Sequence, residues 1–331
     1  MNALLLLPET AGPLCFANLI DRPFVQHIVE FLAEQGIGNI LIAGPEVQRA
    51  RDLFGNGEAW SVRIEYGETP AALIGGRDTE LLIATATSLP RFSVPVFPEG
   101  IAKPILVYGP DGASRTGWAI VPGGNLSGTQ PNDLTDHIAL RAVSEIRCGN
   151  AEELWKAHRS LQRSNLGGIF HGGLEVKPGI WIGRNASVAA DVQITAPAFI
   201  GENSRIGAGA RIGPFAAIGR DCLISPKTIV RDAVIAPRTY TGDNLELDHV
   251  LVNQRQLFDI RLGVSIDRVD ASILDSVFDF HWSAIARRLF ARLVRRSRTP
   301  VALAGSYGTG IQQTPQSESG SDTSRSSSVA A

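Results

Sequence analysis

The chain has 331 residues, enough for two domains, and its formal net charge of −2 gives no electrostatic basis for nucleic acid as the main partner. Its three cysteines are far apart and form neither a disulfide framework nor a metal-ligand spacing, so we expect a reducing cytoplasm and no bound metal. The start, MNALLLLPETAG, lacks the basic residues of a signal peptide, and no segment reaches the roughly 18–20 apolar residues that span a bilayer.

Predicted strands and helices alternate over residues 1–147. A buried strand is predicted for NALLLLPE, and a helix is predicted for FVQHIVEFLAEQG, whose apolar residues have helical spacing up to Gly36. Further strands are predicted for IGNILIAG, VRIEYGE and LLIATATSL, and a short helix for QRARDLFGNG. This alternation predicts an α/β domain with a parallel sheet between helices.

An aliphatic residue at every sixth position dominates the next part of the chain. The row comprises Val176, Ile182, Val188, Ile194, Ile200, Ile206, Ile212, Ile218, Ile224 and Val230. A glycine often follows the aliphatic residue, which we attribute to a tight turn with positive φ, and the fourth residue after it is usually small. Three hexapeptides form one triangular coil whose inward residues stack on the next coil. The pattern predicts an all-β parallel β-helix over 171–265, and its resemblance to the hexapeptide-repeat superfamily implies a left-handed one.

The segments of the first domain resemble the sugar nucleotidyltransferases, or NDP-sugar pyrophosphorylases. The segment IDRPFVQHIVEFL is similar to that family's N-K-P-x-I-x-H-x-I-x-x-L through Asp21, Arg22, Pro23, Val25, His27, Ile28 and Leu32. The segment CGNAEELWKAHRSLQRSNLGG resembles the helix that joins the catalytic domain to a β-helix, which we expect over 148–170. The resemblance implies a nucleotidyltransferase-like, Rossmann-like fold. It also implies a vestigial nucleotide site near Leu7, Pro8, Glu68, Thr69, Pro70 and Thr87.

Three departures from the family pattern argue against catalysis. The family's glycine-rich loop, with its Arg and Lys, is replaced by PETAGPLCFANLIDRP, which has one glycine and no lysine. The metal-binding Asp of the family corresponds to Thr87, and a neutral hydroxyl is a poor ligand for a hard cation. The stretch between Thr87 and Cys148 is short for a sugar-binding region. We therefore predict a degenerate domain over 1–147 with no catalytic residue and no cofactor, magnesium being needed only if the domain is active.

The histidines are the remaining candidates for chemistry. A hexapeptide acyltransferase uses a histidine on a coil edge as general base, and His158, His171 and His249 are the candidates. All three lie outside the regular aliphatic row, which favours structural roles. His27 lies on the apolar face of its predicted helix and is interpreted as a core histidine.

A basic amphipathic helix is predicted over 266–300, followed by a disordered tail over 301–331 that is rich in serine and nearly free of large apolar residues. Two interpretations of the helix stay open. It packs on the β-helix, or it contacts an anionic membrane surface or a partner protein. The predicted contact residues are Trp282, Ile285, Arg287, Arg288, Leu289, Arg292, Leu293, Arg295 and Arg296.

The leading hypothesis from the sequence is a non-catalytic nucleotidyltransferase-like scaffold or regulator. The resemblance implies a place in bacterial exopolysaccharide or cell-surface sugar biosynthesis, with proteins of that synthesis as partners. The alternatives are an active sugar-1-phosphate nucleotidyltransferase that makes an NDP-sugar, and a hexapeptide-repeat acyltransferase. We also expect a homo-oligomer formed through the β-helix, a cytoplasmic location with peripheral contact at the inner face of the membrane, and no nucleic acid partner.

Overall fold

The computed structural model describes residues 1–8, 12–74, 80–93, 103–122, 131 and 134–277. The predicted contact residues from Trp282 to Arg296 and the predicted tail lie outside the described residues. The described residues all belong to one compact unit. Within the described ranges, no helix is long and apolar enough to cross a membrane.

The first domain is built on a seven-stranded sheet. Its strands, with two short ribbons beside them, are β1 (Asn2–Leu6), β2 (Asn18–Leu19), β3 (Arg22–Pro23), β4 (Asn39–Ala43), β5 (Arg63–Gly67), β6 (Leu81–Thr85), β7 (Ser88–Arg91), β8 (Ile105–Tyr108), β9 (Arg115–Val121), β10 (Ile138–Arg141) and β11 (Ser144–Arg147). The order is β10-β8-β9-β6-β1-β4-β5. The predicted parallel arrangement is found for β6, β1, β4 and β5, whereas β9 runs antiparallel to both β6 and β8. The sequence pattern did not predict β9, whose residues are RTGWAIV.

The helices are α1 (Phe24–Glu34), α2 (Val47–Phe54), α3 (Pro70–Ile74) and α4 (Ala151–Arg163). Helix α1 buries Val25, Ile28 and Leu32 in the same apolar cluster as the inner face of the sheet, as their helical spacing predicts. It ends just before Gly36, whose φ of +78° is the left-handed conformation that glycine adopts readily.

Helix α4 joins the two domains and has a well-formed start. The side chain of Asn150 accepts a hydrogen bond from the Glu153 amide at 2.9 Å, and the Glu153 carboxylate accepts one from the Gly149 amide at 2.8 Å. These reciprocal bonds satisfy amides that would otherwise be unpaired at the helix N-terminus. The chain therefore enters the helix in a fixed direction.

The second domain is a parallel β-helix with three faces. Its strands are β12 (Gly173–Lys177), β13 (Ile180–Gly183), β14 (Ser187–Val188), β15 (Gln193–Ile194), β16 (Ala198–Ile200), β17 (Arg205–Ile206), β18 (Arg211–Ile212), β19 (Ala216–Ile218), β20 (Leu223–Ile224), β21 (Ile229–Arg231), β22 (Val234–Ile235), β23 (Thr239–Thr241), β24 (Glu246–Asp248), β25 (Val250–Asn253), β26 (Gln256–Asp259), β27 (Val264–Ile266) and β28 (Leu274–Ser276). The three faces contain β13-β16-β19-β22-β25, β14-β17-β20-β23 and β15-β18-β21-β24. The predicted fold class, an α/β nucleotidyltransferase-like domain followed by a hexapeptide β-helix, is confirmed.

The predicted aliphatic row forms the interior of this coil. Ile206 pairs with Val188 on one side and with Ile224 on the other, and similar rungs run along all three faces. The row begins later than predicted, because Val176 is 50% exposed in β12, which pairs antiparallel with β13. It also continues past Val230, with one residue lost between Val230 and Ile235 and a second lost between Leu247 and Val252. The later rungs are Ile235, Thr241, Leu247 and Val252.

Four of the five glycines that follow the aliphatic residues serve close packing rather than positive φ, and the exception is Gly213 with φ +89°. A Cβ on Gly201 would lie 2.4 Å from the carbonyl carbon of Gly219, which belongs to the next coil. The left-handed conformation falls two residues later, at Asn203 with φ +58° and at Asp221 with φ +57°. Asparagine and aspartate tolerate this conformation better than most residues, so the turn and the close approach are met by different positions.

The end of the coil is covered by β-structure. Strands β25, β26 and β27 form an antiparallel meander, and β28 pairs antiparallel with β23. The basic helix predicted from residue 266 therefore does not begin there. Leu274 is fully buried in the coil interior, which explains why this segment is a strand.

An outward apolar row attaches the coil to the first domain. One residue per coil faces out from the first face, and these residues pair along it as Trp181, Phe199, Ala217, Val234 and Leu251. Trp181 and Phe199 belong to the same buried cluster as the core of the first domain, and Leu251 packs against that cluster. The two domains therefore share one continuous core.

Candidate functional site

The carboxyl ends of the parallel strands form the edge where the nucleotide site is predicted. The Leu7 amide bonds to the Ala43 carbonyl at 2.8 Å, and the Gly44 amide bonds to the Gly67 carbonyl at 3.4 Å. The ends of β1, β4 and β5 are therefore adjacent. Ligands of open α/β sheets bind beyond such carboxyl ends.

The predicted site residues divide along this edge. Leu7 and Pro8 follow β1 at the centre of the sheet, and Thr87 follows β6 beside it. Glu68 and Thr69 are exposed and follow β5, the outer strand, directly before Pro70 begins α3. Leu7 itself is buried in the core below the edge.

Hydroxyl groups occupy the position where the resemblance expects a metal-binding carboxylate. The Thr87 hydroxyl donates to the Thr85 hydroxyl at 3.4 Å, and the Thr85 hydroxyl donates to the Thr116 carbonyl at 3.5 Å. Ser88 donates to the same carbonyl. Magnesium prefers charged carboxylate oxygens, and these neutral groups are bonded to one another, so this set does not fit the ion. Among the described residues, no three His, Cys, Asp or Glu side chains are grouped to hold a metal.

Two of the histidines are core residues. His27 is buried, with Nε2 3.0 Å from the Leu19 carbonyl, and burial lowers its pKa. His158 places Nε2 3.0 Å from the Asn18 carbonyl, and its Nδ1 accepts a bond from the Ile20 amide at 3.4 Å. Burial lowers the pKa of His158 to about 4. Both rings therefore hold the β2–β3 turn as neutral groups.

The other two histidines belong to the coil. The ring of His171 packs edge-on against Phe199, with 6.2 Å between ring centroids. His249 lies at a corner of the coil, with Nδ1 2.8 Å from Asp248 Oδ1 and Nε2 3.1 Å from Asp232 Oδ2. Both nitrogens of His249 therefore face carboxylates, which leaves neither one free to take a proton from a substrate.

The corner at His249 is the point where α4 meets the coil. Asp232 is 7% exposed and accepts a bond from Arg159, while its backbone carbonyl accepts one from Trp155 at 2.9 Å. Asp232 and His249 stack at successive corners, with φ of +50° and +57°. Hydrogen bonds from Arg231 hold the pKa of Asp248 well below its usual range. The network fastens the linker helix to the coil.

The cysteines are not arranged as nucleophiles. Burial raises the pKa of Cys15 to about 11 and those of Cys148 and Cys222 to about 12. A thiol reacts as its thiolate, so all three remain unreactive at neutral pH.

Fold and site together define a class: a nucleotidyltransferase-like α/β domain fused to a hexapeptide coil. The family model described as bacterial transferase hexapeptide (six repeats) matches residues 197–232. A UTP–glucose-1-phosphate uridylyltransferase of Synechocystis is 32% identical over 131 residues. That alignment covers 39% of this chain and 33% of the relative, so the chain spans about a third of the relative's length. The predicted resemblance to sugar nucleotidyltransferases with hexapeptide repeats is thereby confirmed.

A solved structure is also similar. It is assigned as a glucose-1-phosphate thymidylyltransferase from Bacillus anthracis, with 12% identity and a TM-score of 0.40. The match covers 52% of this chain and 98% of that chain.

Sequence reasoning missed two features of this region. The outward row at Trp181, Phe199 and Ala217 repeats once per coil, a signal hidden beneath the stronger six-residue period. The six-residue period did not place Asp232 and His249 at one corner, because one residue is missing from the repeat between Val230 and Ile235.

Proposed function

We propose that this protein is a non-catalytic nucleotidyltransferase-like scaffold or regulator in bacterial exopolysaccharide or cell-surface sugar biosynthesis. The observation that carries the proposal is the hydroxyl chain from Thr87 through Thr85 to the Thr116 carbonyl. Phosphoryl-type transfer depends on cations and backbone donors that stabilise developing charge. A neutral chain of hydroxyls at this edge supplies neither a carboxylate ligand for a metal nor a cation.

The joint between the domains supports a scaffolding role. The shared core at Trp181 and Phe199 and the polar network at Asp232 fix the first domain on the coil. A rigid pair of domains holds its surfaces at constant spacing, which suits a protein that positions partners. We propose that these partners are polysaccharide-synthesis proteins and further copies of this chain, joined through the β-helix.

An active sugar-1-phosphate nucleotidyltransferase is the second candidate. The sequence similarity to a UTP–glucose-1-phosphate uridylyltransferase favours it. A hexapeptide acyltransferase is less well supported, because His249 has both ring nitrogens directed at carboxylates and His158 is fully enclosed.

Two assays separate the three functions. Pyrophosphate release is measured with glucose 1-phosphate, UTP or dTTP, and magnesium, and thiol release is measured with acetyl-CoA and amino sugars. We expect neither product, while an authentic uridylyltransferase run in parallel releases pyrophosphate. Calorimetry with UTP and magnesium is expected to show binding no tighter than millimolar. Micromolar affinity for UTP, or turnover in either assay, would contradict the proposal.

A further inference from the structure

A cavity lies between the first domain and the coil. Its volume is about 760 Å³, within the range of small-molecule sites. The first domain contributes Phe16 and Leu53, and the coil contributes Val234, Leu257 and Phe258. Neither domain encloses the space alone, so the cavity exists only because the domains are fixed together.

Arginines from both domains line this cavity. Arg220 and Arg238 belong to neighbouring coils, because the Arg238 amide bonds to the Arg220 carbonyl at 2.9 Å. Arg49 approaches from α2, with its guanidinium 4.5 Å from the ring centroid of Phe16. Within the described residues, no carboxylate lies at ion-pair distance from Arg49 or Arg220. Guanidinium groups without a carboxylate partner favour an anionic ligand, and they match the geometry of phosphate.

The acidic residues of the lining do not cancel this charge. Asp52 accepts a bond from Gln48 at 3.1 Å, and Asp267 accepts one from Ser265 at 3.1 Å. Neither carboxylate lies at ion-pair distance from Arg49 or Arg220, so neither of them neutralises these two guanidinium groups directly. The lining therefore favours a ligand with at least one negative charge.

Amide side chains supply the neutral polar groups. Asn18, Asn253, Gln254 and Gln256 line the cavity beside the apolar walls. Each amide both donates and accepts, which suits the hydroxyl groups of a sugar, and Phe16 and Phe258 provide faces for the carbon skeleton of its ring.

We propose that this cavity binds a sugar phosphate, with the phosphate on Arg220 and Arg49 and the sugar against the amides. The choice of a sugar phosphate rests on the proposed function, whereas the preference for an organic anion rests on the lining alone. Binding would stabilise the joined arrangement of the domains, because the ligand contacts both of them.

Calorimetry on the full chain tests the proposal, with glucose 1-phosphate as the probe and glucose and inorganic phosphate as separate arms. We expect saturable binding of glucose 1-phosphate that exceeds the binding of either fragment and weakens as salt increases. Arg220→Gln and Arg49→Gln should each weaken binding about tenfold or more, since each removes a charge-assisted contact. Arg205→Gln is the matched control, because Arg205 is exposed on a different face of the coil.

Three outcomes would overturn the proposal: no binding at millimolar probe, equal affinity in Arg220→Gln, Arg49→Gln and wild type, or phosphate alone binding as tightly as glucose 1-phosphate. Loss of binding in Thr87→Val with retention in Arg220→Gln would place the ligand at the carboxyl edge and would also overturn it. Thermal unfolding of each variant without ligand shows that it is folded. Pyrophosphate release in the separate activity assay would contradict the proposed function while leaving the cavity measurement intact.

Discussion

Replacing Ile206 with aspartate tests the inward register of the coil. The side chain of Ile206 is 3% exposed and stacks between Val188 and Ile224. Truncating a buried isoleucine costs about 2–5 kcal/mol, and leaving a buried polar group without a partner adds about 1–3 kcal/mol. The sum, roughly 3–8 kcal/mol, is comparable to the whole stability of a typical domain. We therefore expect Ile206→Asp to unfold the coil or to lower the urea midpoint severely, measured by circular dichroism.

The neighbouring residue provides the control for this experiment. Arg205 is exposed on the outer side of the same strand, and Arg205→Asp should change the free energy of unfolding by less than about 0.5 kcal/mol. Val188→Asp should fall between the two, because Val188 lies in the first coil and is only half-buried. Equal shifts for Ile206→Asp and Arg205→Asp would refute the assigned register.

Three further predictions concern the joint and the C-terminal segment. Folding lowers the pKa of His158 from 6.5 to about 4, so the unfolded chain binds an extra proton between these values. His158 should therefore contribute a loss of about 3 kcal/mol in the free energy of unfolding as pH drops through that window, and His158→Leu should remove this contribution in urea titrations while that of His27 remains. Asp232→Asn should lower the free energy of unfolding by about 1–3 kcal/mol, because Arg159 loses its charged partner. Asp191→Asn, at an exposed position, should be neutral, and equal effects of the two substitutions would contradict a stabilising role of the Asp232 network. If the segment after residue 277 contacts anionic membranes, the protein should co-sediment with anionic vesicles at low salt. Replacing five arginines with glutamine should abolish this co-sedimentation and leave the melting temperature unchanged. The five are Arg287, Arg288, Arg292, Arg295 and Arg296. If the wild-type protein does not co-sediment, the membrane proposal is wrong.

Features with a short repeat were predictable from the sequence. The period of α1 and the six-residue row from Ile182 to Val230 each arise from contacts that recur locally along the chain. The antiparallel insertion of β9 was not predictable, because strand order depends on partners far away in sequence. The sequence analysis assigned the positive φ of the turn to the glycine, whereas the structure has it at Asn203. The sequence shows that a residue is small, but it does not show whether close packing or a positive φ requires the small residue.

The candidate site was only partly predictable, because its local features are visible in the sequence and its contacts between distant segments are not. The replacement of a metal-binding carboxylate by Thr87 was visible in the alignment of strand ends, whereas its bonding to Thr85 required the fold. The cavity lined by Arg49 and Arg220 joins segments separated by about half of the chain, and no local pattern marks it.

The outward row of apolar side chains has a practical consequence for dissecting the protein. Cutting the chain before the coil would strip Trp181 and Phe199 of the surface that covers them, and the fragment would carry an aromatic stripe along one face. Exposed stripes of this kind promote self-association. A coil expressed by itself should therefore oligomerise through a surface that the intact chain never presents, and its assembly state would describe the truncation rather than the protein.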